Sequence, residues 1–265
     1  MKILFLYSEV MGYTEALLRA LSRVMGVEVI LVYWDKNKLT PYQANVNGVK
    51  SIARSTLNEK ALQDLVINEQ PSMLYTSGWM DRGYLQAARL AKKQGTVVVA
   101  GVDTPWRGTW KQRVSAYVLK PFWRKHFDYI WVPGKSQEKY AQKMGFKGQT
   151  LTDLYAADIS LFKPSNRKLK NKKPYQLLFV GRLAEEKNIR MLCEAFIEVN
   201  NNEDWELIVV GNGPLRTDLP KNKVIKYEGF QEPETLREYF NRASAFCLPS
   251  KWEPWGLVIH EAAAS

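Results

Sequence analysis

The stretch "KWEPWGLVIHEAAAS", from Lys251 to Ser265, holds two carboxylates, Glu253 and Glu261, with seven residues between them. A strand-like run, "SAFCLPS", precedes them, and Gly256 stands where a helix is expected to begin. The amides around Gly256, Leu257 and Val258 would then lie at the positive end of a helix dipole, without intrahelical acceptors. Glu261 would sit about 7 Å further along the axis. One acid lies before the helix mouth and one lies a turn or so inside it. Carboxylates accept hydrogen bonds from hydroxyls, and an amide-lined helix start accepts phosphate or sugar oxygens. That order suits an extended ligand with polyol, phosphate and polyol in series, as in a nucleotide sugar. The plainer reading is a helix with an acidic residue before it and one exposed glutamate.

A second stretch, "FVGRLAEEKNI" from Phe179 to Ile189, ends a strand at Gly181 and carries Arg182 and Lys187 just before a helix. Two cations beside the amides of a helix start form a place for a diphosphate, unless both are solvated surface charges. A third, "VVGNGPL" from Val209 to Leu215, is a strand with a tight turn in which Gly211 and Gly213 would let a ligand or a neighbouring backbone approach closely. It lacks the third glycine of a dinucleotide fingerprint and is no Walker loop. No D-x-D pair occurs anywhere, so no bound metal is implied. Cys193 and Cys247 lie in apolar segments without metal-ligand spacing, which fits buried thiols in a reducing cytoplasm.

The elements that must position these residues alternate along the chain. "KILFLY", "VEVILVY", "SMLYTSG", "TVVVAG" and "DYIWVPG" read as buried strands, with amphipathic helical segments between several of them, such as Glu59 to Asn68 and Asp81 to Gln94. The twelve residues "KPSNRKLKNKKP", Lys163 to Pro174, carry six Lys or Arg and almost nothing apolar, and read as an exposed linker. After them come the strands "QLLFVG", "WELIVVG", "KVIKYEG" and "SAFCLPS", with helices near Ile189 to Asn200, Pro233 to Asn241 and from Gly256 onward. This pattern predicts an α/β chain of two doubly wound, Rossmann-like parallel-sheet domains facing a central cleft. The expected boundaries are 1–160, a basic linker at 161–174, and 175–265, the last being short for a whole domain.

The net charge is +11. Residues 1–160 hold 22 Lys/Arg against 13 Asp/Glu, or +9, and residues 161–265 hold 16 against 14, or +2. Such an excess attracts anions without choosing among them. The start, "MKILFLYSEV", has too short an apolar run for a signal peptide, and no apolar stretch approaches a membrane span.

Taken together, "GRLAEEKN", "VVGNGP", "YEGF" and "LPSKWEPWGLVIHEAAAS", in this order and spacing, resemble the second domain of retaining glycosyltransferases of family 4, which have the GT-B fold. The glutamates match that family's E-x7-E element. The resemblance is strong from about Pro174 to Ser265, where the second domain reads as truncated. It is looser in the first half, where "KILFLYSEVMGYTEALLRAL" is similar to the first strand and acceptor loop, including Gly12, and "VPGKSQEKYAQKMG" to the last helix before the crossover. It implies that Arg182 and Lys187 hold the donor diphosphate, that Glu253 meets the donor sugar, and that Gly256, Leu257 and Val258 offer amides. It further implies that Glu261 binds the ribose diol, that Gly229 and Phe230 lie near the base, and that Gly211, Asn212, Gly213 and Pro214 lie near the donor pocket. The implied reaction moves a hexose-type sugar from a UDP- or GDP-sugar to a saccharide or lipid-linked acceptor, with no cofactor and no metal.

One position departs from the family. Where it often has His-Asp after the strand "TVVVAG", this chain has Val102-Asp103, leaving Asp103 as the first-domain candidate. The only histidines are His126 and His260, and neither is a catalytic candidate. The stretch Asp103 to Phe127 interleaves four aromatic residues, Trp106, Trp110, Phe122 and Trp123, with basic ones. It suits either a helix lying on anionic lipid at the inner face of a membrane or a core-facing helix with a charged outer side. Nucleic acid is not an expected partner, because no recognised binding module accompanies the charge. Two alternatives to the transferase are a non-hydrolysing nucleotide-sugar epimerase, which the lack of a histidine-rich set disfavours, and a non-catalytic nucleotide-sugar-binding protein or fragment.

Overall fold

The structure, a computed structural model, describes residues 1–36, 46–118, 125–164, 174–200 and 204–265. They fall into two units, Met1–Tyr155 and Ala156–Ser265. The first contains β1 (Lys2–Tyr7), α1 (Gly12–Ser22), β2 (Glu28–Tyr33), β3 (Lys50–Ala53), α2 (Glu59–Glu69), β4 (Met73–Thr76), α3 (Arg82–Lys93) and β5 (Val97–Gly101). These are followed by α4 (Trp110–Val118), β6 (Tyr129–Trp131), α5 (Lys135–Lys143) and β7 (Gln149–Leu151). Among the described residues the strands form one parallel sheet in the order β3-β2-β1-β4-β5-β6-β7.

Both faces of this sheet are covered, which is why its strands are apolar at successive positions rather than at alternate ones. Leu4 and Leu6 of β1 pack on one side with Ile30, Leu74, Val98 and the Ala87–Ala88–Ala91 stripe of α3. Ile3, Phe5 and Tyr7 pack on the other with Leu18 of α1, Leu31, Tyr75 and Val99. Side-chain caps start two of the helices: Asn58 accepts from the amide of Ala61 at 2.8 Å, and Asp81 accepts from those of Gly83 and Tyr84 at 2.8 and 3.2 Å. Each satisfies donors that the first helical turn leaves open.

The second unit contains β8 (Tyr175–Val180), α6 (Ile189–Val199), β9 (Trp205–Val210), β10 (Ile225–Gly229), α7 (Pro233–Arg242), β11 (Ala245–Phe246) and α8 (Leu257–Ala264). Its parallel sheet has the order β10-β9-β8-β11. Phe179, Leu207 and Val209 pack beneath Ile189, Cys193 and Phe196 of α6. On the opposite face, Leu178, Val180 and Ile208 pack with Phe240 of α7 and with Val258 and Ala262 of α8.

The structure refines the sequence expectations at several points. The "SAFCLPS" strand shrinks to Ala245–Phe246, and β3 and β7 appear where no strand was expected, each too short to show a period. Phe162, expected in the linker, is buried in the second unit's core, while residues 165–173 of that stretch lie outside the described residues.

Gly101, at the end of β5, faces the Tyr75 ring so closely that an added Cβ would stand 2.0 Å from the phenol oxygen. Among the described residues that oxygen is buried without a partner in hydrogen-bonding geometry. Gly101→Ala is therefore expected to cost about 3 kcal/mol by overpacking. Tyr75→Phe is expected to be neutral or slightly stabilising, because it removes an unsatisfied hydroxyl. In urea unfolding, the double variant should be more stable than Gly101→Ala alone; equal stability of the two would show that the contact is not the source of the strain.

Candidate functional site

In the second unit, the candidate residues cluster where the strands end. Gly211 adopts φ +135°, and a Cβ there would meet the carbonyl oxygen of Gly181 at 2.0 Å. A Cβ on Gly213 would meet the Leu183 carbonyl oxygen at 2.4 Å. The turn's glycines thus admit a neighbouring backbone, one of the two options open from sequence. Hydrogen bonds tighten the contact: Leu183 N–H donates to the Asn212 carbonyl at 2.9 Å, Leu215 N–H to the Leu183 carbonyl at 3.0 Å, and Gly211 N–H to the Gly229 carbonyl at 2.7 Å. Gly229, at φ +71°, ends β10 beside Asn212, and half-buried Phe230 follows it. Asn212 and Pro214 are exposed.

From this seam the chain runs into a 3₁₀ turn, Glu185–Lys187, and then through Asn188 at φ +55° into α6. Asparagine tolerates that left-handed conformation better than most residues. The turn is tied to the loop after β11 by Lys251 N–H donating to the Glu186 carbonyl at 2.9 Å. Lys187 Nζ consequently meets Glu253 Oε2 at 2.5 Å, an ion pair whose side chains are 16% and 23% exposed. Ser250, which the sequence reading did not single out, donates its hydroxyl to the same carboxylate oxygen at 3.0 Å. Arg182 is exposed, and its guanidinium makes no ion pair among the described residues. Among the described residues no hydrogen bond or ion pair joins it to Lys187.

Gly256 is buried and acts as the N-cap of α8, at φ +75°, so the expected helix start lies one residue later, at Leu257. A Cβ on Gly256 would stand 3.0 Å from Glu253 Cγ, which brings the cap against the carboxylate's stem. The amides of Leu257 and Val258 belong to the first turn, which has no intrahelical acceptors, while the Val258 side chain packs into the core. Glu261 follows one turn on, partly buried, and loss of hydration pushes its carboxyl up to about 7.

Gly12 and Asp103 are the candidates of the first unit. Gly12 is the first residue of α1. Asp103 follows β5 and is exposed along part of its surface; partial loss of hydration raises its carboxyl above the ordinary value, and hydrogen bonds from its own backbone amide and, more weakly, from the Tyr155 hydroxyl pull it part of the way back. Around it gather tyrosines that the sequence reading missed. Tyr7 stacks on Tyr75 at 5.6 Å, Tyr13 meets Tyr155 edge-on at 5.0 Å, and burial raises the pKa of all four. They are therefore neutral hydroxyls at physiological pH. They lie at 7, 13, 75 and 155, and no local spacing could have announced the cluster.

A candidate phosphate cation already held by a carboxylate, beside open amides and a glycine seam, is a geometry that can be compared with known proteins. Residues 163–265 match the family of group 1 glycosyl transferases. The chain is 32% identical over 97 residues to an uncharacterized glycosyltransferase of Methanocaldococcus jannaschii, covering 34% of this chain and 25% of that protein. It is 31% identical over 93 residues to the alpha-D-kanosaminyltransferase of Streptomyces kanamyceticus, covering 32% of this chain and 24% of that protein. The matched segment thus spans about a quarter of the length of these curated relatives. Among solved structures, HepE of Anabaena in complex with UDP and glucose superposes with a TM-score of 0.72 at 15% identity, covering 99% of this chain and 78% of that one. The likeness shows the GT-B fold.

Glu261 supplies a test of the local electrostatics. Its folded-state value, about 7, lies above the ordinary 4.5, so the folded state holds the proton more tightly and stability falls as pH rises through that window. Glu261→Gln is expected to stabilise the protein at pH 8 by about 3 kcal/mol and to have little effect near pH 4.5. Thermal midpoints of both proteins at the two pH values decide it: an equal difference at both would mean that the carboxyl is hydrated.

Proposed function

We propose that this chain is a retaining glycosyltransferase that moves a hexose-type sugar from a UDP- or GDP-sugar to a hydroxyl of a saccharide or lipid-linked acceptor. The single observation that carries the reading is the Lys187–Glu253 pair beside Gly256 at the mouth of α8. It sets a cation for phosphate and a carboxylate for sugar hydroxyls side by side, next to open helix amides. The family match over residues 163–265 and a neighbour solved with UDP and glucose support the same reading.

In the reaction, the bond from the anomeric carbon to the phosphate oxygen breaks, and the acceptor oxygen bonds to that carbon on the same face. The acceptor's proton passes to the departing phosphate or to solvent. Negative charge grows on the leaving diphosphate, and preorganised positive groups stabilise it more than they stabilise the intact donor. Lys187, Arg182 and the amides of Leu257 and Val258 take that role, with no metal or cofactor assigned. Glu253 accepts hydrogen bonds from sugar hydroxyls, and Glu261, once ionised, from the ribose diol. Asp103, with its ring of neutral tyrosine hydroxyls, is assigned to the sugar or acceptor. Two free thiols, Cys193 and Cys247, accord with a reducing cytoplasm.

Calorimetry with UDP and GDP tests the diphosphate site. Lys187→Ala is expected to weaken binding by about 2 to 4 kcal/mol, and Arg182→Ala to act in the same direction. Unchanged affinity in both variants would remove the site. Glu253→Gln should separate the two halves of the ligand: with its counter-ion neutralised, Lys187 is freer, so UDP alone binds no more weakly. The nucleotide sugar is expected to lose about tenfold, or roughly 1.4 kcal/mol. Equal losses for UDP and UDP-sugar would mean that Glu253 does not meet the sugar.

A further inference from the structure

Helix α4 is built inside out. The residues it turns toward the body of the first unit are Gln112, Ser115 and Ala116, of which Ala116 is 8% exposed. Gln112 spends its amide on the nearby chain, donating to the Pro105 carbonyl at 3.0 Å and accepting from Arg107 N–H at 2.7 Å. The face turned to solvent is the apolar one: Trp110 is 71% exposed, Val114 55%, Tyr117 79% and Val118 63%. Trp110, Val114 and Tyr117 recur at i, i+4 and i+7, within about 60° of one another around the axis at 3.6 residues per turn. A helix that paid only for its own unit's core would carry the opposite pattern.

The stripe is edged by positive charge on both sides. Lys111 lies on one flank, with its ammonium 5.9 Å from the Trp110 ring centre. Exposed Arg113 lies on the other, held by Nε donating to the Gly108 carbonyl at 3.1 Å. From 104 to 127 the sequence contains no Asp or Glu. An apolar ridge with aromatic residues between two basic flanks is complementary to a surface that is apolar below and negatively charged above. A second copy of this chain would bring like charges together across any two-fold contact of this face.

We propose that the outer face of α4 docks on an anionic lipid surface, with Trp110, Val114 and Tyr117 entering the interface and Lys111 and Arg113 meeting the headgroups. Among the described residues no helix is long and apolar enough to cross a membrane, and the contact proposed is with the lipid surface. The proposal rests on residues of the first unit alone and does not depend on the diphosphate reading.

Flotation of the full chain with vesicles tests the assignment. Wild-type protein should partition at least tenfold more strongly to phosphatidylcholine vesicles containing a third phosphatidylglycerol than to phosphatidylcholine alone, and should lose that preference at high salt. Trp110→Ser/Val114→Ser/Tyr117→Ser should lose at least tenfold, as should Lys111→Gln/Arg113→Gln, with circular dichroism unchanged because these side chains face solvent. Brominated lipid should quench wild-type fluorescence more than that of Trp110→Phe, a variant that keeps the apolar face. Equal partitioning of wild-type protein to both vesicles, or variants that float as well as wild type, would overturn the proposal. So would sedimentation showing a wild-type dimer that the triple variant splits, which would assign the face to self-association.

Discussion

The second unit depends on two backbones coming into contact where side chains would normally keep them apart. At the carboxyl ends of β8 and β9, Gly211 and Gly213 lie against the carbonyls of Gly181 and Leu183, and the bonds from Leu183, Leu215 and Gly211 lock the three loops together. A methyl group at either glycine would push the loops apart by more than a flexible neighbour could absorb. Every feature nearer the chemistry inherits its position from that seam. The 3₁₀ turn leaves it at a fixed angle, Asn188 redirects the chain into α6, and the Lys251–Glu186 backbone bond then brings the β11–α8 loop alongside.

The ion pair at this junction is a consequence of that frame and also a constraint on it. Lys187 and Glu253 are both largely withdrawn from water, and each is the other's compensation for lost hydration. An incoming phosphate would offer Lys187 a second anionic partner and leave Glu253 to find donors elsewhere. Sugar hydroxyls are donors of that kind, so under the proposed function one carboxylate would order the empty site and help to read the ligand once it is bound. Ser250 donates to the same oxygen and so gives the carboxylate a second partner besides Lys187.

What the sequence made legible follows from the range over which each feature acts. Strand runs, the E-x7-E spacing and the glycine turn are local, so most elements of both units could be read from adjacent residues, as could the sites where backbone must come close. Lys187 and Glu253 are 66 positions apart, and only the family resemblance put them in one pocket; their direct pairing was not foreseen. The tyrosines around Asp103 come from β1, α1, β4 and the loop after β7, and leave no trace in any window of the chain. Helix α4 shows a different limit. Its apolar period is the same whether that face points inward or outward, because periodicity has a direction around the axis but no sign relative to the core.

All strands in both sheets run parallel, so each sheet has one rim of carboxyl ends and one of amino ends. In the second unit, Gly181, Gly211, Gly229 and Cys247 all open on the first rim, while turns such as Asn222 to Val224 sit on the second. Mutational tolerance should therefore be lopsided. A fluorophore or affinity handle at the amino-end rim is expected to leave the proposed site untouched, whereas the same insertion at the other rim is expected to disturb it at almost any position.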